Sequence, residues 1–229
     1  GPVRRWVVSF YAIAALILVL TLIAGGLSED GVALGFGLMV LAGLPPFTVL
    51  VATSSIVAER RAGTLSLLAA TRMGPAQIVW GKLLAVGGML SPGLVFGGGL
   101  ALLGAGSAGP NFGVAVVTGL LWFVVVNAVL ALGCFYRALD ASTPSRAWAF
   151  NVVVSIVLVW SLAALSGASA AVKPLRAAWG FVIPFVFVDA AGVLLPVYTL
   201  GSALLWGVVA LGLFMLCAQR LARRAAAGG

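Results

Sequence analysis

Few residues in this chain can do chemistry. Its 229 residues include 13 Lys and Arg, five Asp and Glu, and no His. The commonest general base and metal ligand is therefore missing. Cys134 and Cys217 stand alone inside apolar runs and read as small core residues, with neither a disulfide nor a metal site implied. No Gly-x-Ser-x-Gly motif supplies a nucleophile. The nearest approach to a phosphate-binding loop, Gly74 to Lys82, has six residues between its glycines and Leu83 after the Lys, where a Walker A loop needs four and a Ser or Thr. Catalysis and ATP binding by this chain are thus not expected. Two polar residues interrupt apolar stretches. Asn127 is placed either to hydrogen-bond between helices or to line a path, and Asp189 either to carry an ion or to cap a helix in contact with water. The densest group of charges is Glu59-Arg60-Arg61, followed at a distance by Arg72 and Lys82.

The elements that position these residues follow from composition. Hydrophobic residues make up 63% of the chain and charged residues 8%, against roughly 45–50% and about 25% in soluble domains. Long charge-free runs separated by short polar breaks fit helices crossing a hydrocarbon layer about 30 Å thick. Nothing shows the short alternating segments of a membrane β-barrel. The basic residues behind the +8 net charge flank apolar runs. They read as topology determinants in contact with anionic lipid and not as a nucleic-acid-binding stripe.

The pattern predicts an all-α polytopic protein, one transmembrane domain over 1–229, with spans at about 6–27, 32–57, 83–103, 112–135, 149–165 and 200–217. The first run, behind Arg4 and Arg5, is too long for a signal peptide and reads as a retained span. Pro45-Pro46 predicts a kink in the second. Ser142-Thr143-Pro144 resembles a cap with Pro in the first turn, opening the fifth. The stretch 179–198 is apolar but carries Pro184, Asp189, Gly192 and Pro196, which predicts a broken re-entrant hairpin on the outer side. Charge supports that count. With six spans, Arg4, Arg5, Arg60, Arg61, Arg72, Lys82, Arg137, Arg146, Arg220, Arg223 and Arg224 lie inside, against Lys173 and Arg176 outside. A seventh span would move the last three outside. The positive-inside rule favours six, with both termini cytoplasmic. Gly31/Gly35 and Gly93/Gly97, at four-residue spacing, would let helices approach closely.

The segment 59–82 should fold as a short amphipathic helix on the cytoplasmic surface. The charged triplet ends the second span, Gly63 and Thr64 allow a turn with Thr64 as N-cap, and Leu65, Leu68 and Ala69 share a face. Such a helix can lie on lipid or dock in a partner's groove.

These residues resemble the first cytoplasmic loop of type-2 permeases of ABC transporters. The matches are Glu59, Arg60, Gly63, Thr64, Leu65, Leu68, Ala70, Thr71, Gly81 and Lys82. The chain departs from the pattern at Arg61 and Ser66, where acids are usual, and at Arg72, where Pro is usual. The resemblance implies a coupling helix, with Glu59, Arg60, Arg61, Gly63, Thr64, Leu65 and Leu68 as partner-binding residues. That helix would seat on a separate ATP-binding subunit holding ATP and magnesium. It also implies a homodimer or a heterodimer with another permease, a translocation path that Asn127 and Asp189 could line, and export across an inner or plasma membrane. Gly- and Ala-rich spans with frequent Arg suggest a bacterial source. An ion-coupled secondary transporter and an intramembrane enzyme are the alternatives.

Overall fold

The computed structural model describes residues 8, 9, 12, 29–64, 73–106, 110–140, 146, 149, 151 and 195–226. All elements among them are helical. Four are long: α1 (Glu29–Arg61), α2 (Pro75–Gly106), α3 (Pro110–Asp140) and α4 (Leu195–Ala226). Each has between 31 and 33 residues, and at 1.5 Å per residue that is roughly 45–50 Å. Three contain stretches long and apolar enough to cross a membrane: Pro75–Gly104, Val116–Leu139 and Leu200–Arg224. Val95, Leu103, Leu204 and Val208 on these helices are 70% exposed or more, an arrangement that hydrocarbon tolerates and water does not. The chain is a helical, multi-pass membrane protein.

The helices outrun the expected spans because hydrogen bonding continues past the hydrocarbon boundary. α2 begins eight residues before the expected 83, at a built N-terminus. Pro75 occupies the first turn, where its missing N–H is no loss. The Gly74 carbonyl accepts from the backbone N–H groups of Gln77 and Ile78 at 2.9 and 3.2 Å. The Gln77 side chain reaches back to accept from the Gly74 N–H at 3.0 Å, as in a capping box. α3 runs on through Tyr136–Asp140, expected to be a polar break. Leu195–Tyr198, assigned above to the end of the outer hairpin, is the first turn of α4, and Pro196 sits where a first turn accepts it. α1 continues as one helix through Pro45 and Pro46. In α2, Pro92 removes the donor for the Gly88 carbonyl, and the Ser91 hydroxyl supplies one at 2.9 Å, a repair that lipid demands.

α1 and α2 are antiparallel neighbours. Near one end their backbones touch. A Cβ on Gly37 would lie 2.5 Å from the Ala101 nitrogen and 2.6 Å from the Gly97 carbonyl oxygen, so only glycine fits. Gly97, one of the glycines expected to let helices approach, thus faces Gly37 of α1. α3 runs parallel to α1, as Thr48–Asn127 and Arg60–Ala138 contacts rise together along both. α4 runs parallel to α3, with contacts at Trp122–Ser202, Leu132–Cys217 and Tyr136–Arg220. Phe135, Leu132 and Leu44 fill the centre. Apart from the helical residues 8, 9 and 12, the expected span 6–27 lies outside the described residues, as do the remainder of 149–165, the hairpin residues 179–194 and Lys173 and Arg176.

Candidate functional site

Directionality gathers one kind of residue at one end of the bundle. The last turns of α1, α3 and α4 and the first turns of α2 meet there, bringing Arg60, Arg61, Lys82, Arg137, Arg220, Arg223 and Arg224 together. Ile56, Ile78, Phe135 and Leu221 form the apolar floor beneath.

The junction between α1 and α2 is held at three points. Lys82 pairs with Glu59 across the two helices, with side chains 12% and 30% exposed. Glu59 Oε2 is sealed from solvent and has no directed hydrogen-bond donor, so its compensation is the Lys82 charge lying against it. Burial strengthens such a pair by lowering the local dielectric and raises the cost of losing one member. Arg60 donates to the Ala138 carbonyl at 3.4 Å, in the last described turn of α3. Gly63 adopts φ 67°, and the Ala62 N–H donates to the Ala58 carbonyl at 3.0 Å, so a left-handed glycine ends α1. The Thr64 hydroxyl donates to the Glu59 carbonyl at 3.2 Å, which ties Thr64 to the end of α1; the helix it was expected to cap lies outside the described residues. Arg61 points into solvent. Of the expected docking residues, Glu59, Arg60, Arg61, Gly63 and Thr64 are brought to this end, while Leu65 and Leu68 lie outside the described residues.

Asn127 occupies a different setting. It is 6% exposed and lines a cavity of about 530 Å³ between α2, α3 and α4. The cavity wall is otherwise apolar, including Trp80, Leu84, Val124, Leu211 and Phe214, and Trp80 packs edge-on to Phe214 at 6.4 Å. The Asn127 amide donates to the Phe123 carbonyl at 2.9 Å, and its oxygen accepts from the Thr48 hydroxyl at 2.6 Å. That hydroxyl also lies 3.1 Å from the Leu44 carbonyl, and its single proton can serve only one of the two acceptors. Asp189, the other path candidate, lies outside the described residues.

Sequence reasoning missed several polar contacts that pin the helices together. Trp122 Nε1 donates to Ser202 Oγ at 2.7 Å. Asn151 donates to Thr53 Oγ1 at 2.9 Å. Each is a single polar residue in an apolar run, which was the available signal. On that signal the sequence reading singled out Asn127 and Asp189 but not these residues. Cys134 and Cys217 are buried and free, as their apolar flanks suggested. No protein-family model matches the chain, and no curated protein matches it.

Proposed function

We propose that this chain is the membrane-spanning permease subunit of an ABC transporter, exporting a substrate with ATP hydrolysed by a separate subunit docked on the 59–82 segment. The observation that supports this most is the junction at the basic end. Glu59 and Lys82, the first and last residues of the matching motif, form an ion pair that closes the base of the loop between them. A segment held this way begins and ends on a fixed base. α1 and α2 are also fixed to each other at the far end by Gly37 and Gly97. A push on the loop would then move both helices as one body, as a device coupling ATP hydrolysis to transport requires.

On this reading the chain has six spans with the basic end cytoplasmic, an arrangement compatible with the helix directions. α3 and α4 are parallel neighbours, so the chain between them returns across the bundle an odd number of times. On the reading of the sequence, the fifth apolar run would supply one crossing and the stretch 179–198 none. Seven spans would make α3 and α4 antiparallel. The basic end holds seven of the eleven cations assigned inside, as the positive-inside rule asks. The permease would act as a dimer of identical or related subunits.

Co-expression with the ATP-binding subunit encoded beside it tests the reading. Membranes holding both should hydrolyse ATP, and Leu65→Asp with Leu68→Asp should abolish assembly and hydrolysis while leaving the permease in the membrane. Normal assembly and hydrolysis by that double variant would rule the docking role out.

A further inference from the structure

The cavity wall between α2, α3 and α4 states what it can hold. Its volume, about 530 Å³, falls within the range of small-molecule sites. None of its described lining residues is ionisable, and Asn127 is the one side-chain amide among them, beside the indole N–H of Trp80. A charged ligand there would lose its hydration with no counter-charge in return. The helices that form it present apolar faces outward, with Leu84 and Leu211 on the cavity wall 57% and 63% exposed. Entry is therefore from the hydrocarbon side.

Asn127 is not saturated. A primary amide offers two donors and two acceptor lone pairs, and this one uses one N–H on Phe123 and one lone pair on Thr48. Its second N–H and second lone pair have no partner among the described residues. A buried amide with spare capacity on an apolar wall is the arrangement by which a mostly hydrophobic site fixes one polar group of its ligand.

We infer that this cavity binds a neutral, membrane-borne molecule that is largely hydrocarbon and carries one hydrogen-bonding group, hydroxyl or carbonyl, held by Asn127. This names the cargo class for the transport reading and rests on it, but binding is measured on this chain alone, so the two can fail separately. The purified chain in nanodiscs would be labelled with a diazirine-bearing hexadecanol and the sites mapped by mass spectrometry. The equivalent diazirine alkane would serve as the comparison.

Labelling by the alcohol should favour Leu84 and Leu211 over Leu103 and Leu204, which face outward at 72% and 74% exposure and report ordinary lipid contact. The alkane should show no such preference. Asn127→Leu should reduce cavity labelling about fivefold, the weight of one hydrogen bond. Gly207→Leu should do so without touching Asn127, because a Cβ at Gly207 meets nothing within 4 Å and the larger side chain can fill the space. Equal labelling at all four positions, unchanged by either substitution, would overturn the proposal. Loss with Gly207→Leu but not with Asn127→Leu would overturn the anchoring role of Asn127.

Discussion

The two ends of the α1–α2 pair are joined in opposite ways. At one end Gly37, Gly97 and Ala101 bring two backbones into contact with no polar side chain involved. At the other, Glu59 and Lys82 hold the helices through charge. The first joint admits no added atom, and the second no lost charge. Lipid explains the division. Within hydrocarbon there is no hydrophobic gain from helix association, so close packing of small residues carries the contact. At the headgroup level water and phosphate are near, and a half-sheltered ion pair becomes usable.

Substitutions at each end separate the two kinds of joint. The largest effect is expected at Gly37→Ala, whose Cβ would meet backbone atoms that cannot move aside. We expect a loss of about 3 kcal/mol, the upper part of the overpacking range, read from unfolding in mixed micelles. Lys82→Met should cost less, about 1–2 kcal/mol, because Glu59 keeps 30% exposure and water relieves part of the lost pairing. Adding Glu59→Gln should return much of that loss, and no recovery would show that packing, not charge, holds the junction. Ser91→Ala leaves the Gly88 carbonyl without its substitute donor, at about 1 kcal/mol. Gly88→Ala should change stability by less than ~0.5 kcal/mol, since a Cβ there meets nothing within 4 Å and alanine favours the helix.

The same contrast decides what was legible in the sequence. Apolar runs revealed the positions of α1 to α4, because about 20 apolar residues are what a span needs. Their ends were misjudged because helical hydrogen bonding persists into polar residues such as Tyr136–Asp140, which hydropathy counts as a break. Gly63 was legible as a turn because glycine beside a charged triplet punctuates a helix. Glu59 and Lys82 were legible as separate charges, but their pairing depends on α2 folding back along α1, which spacing alone does not encode. Gly37 was invisible among 30 glycines, since close approach is a property of two helices and not of one. Asn127 was legible as an isolated polar residue in an apolar run. Its cavity was not, because the cavity is assembled from three helices.

The central claim is that the basic end presents the 59–82 segment to an ATP-binding subunit. Photo-crosslinking from a benzoylphenylalanine at Met73, which is 48% exposed beside the start of α2, tests it most directly. In membranes holding both subunits, Met73 should crosslink to the ATP-binding subunit and Leu103, near the other end of α2, should not. An assembled, hydrolysing complex that gives no crosslink from Met73, or equal crosslinking from both positions, would contradict the account.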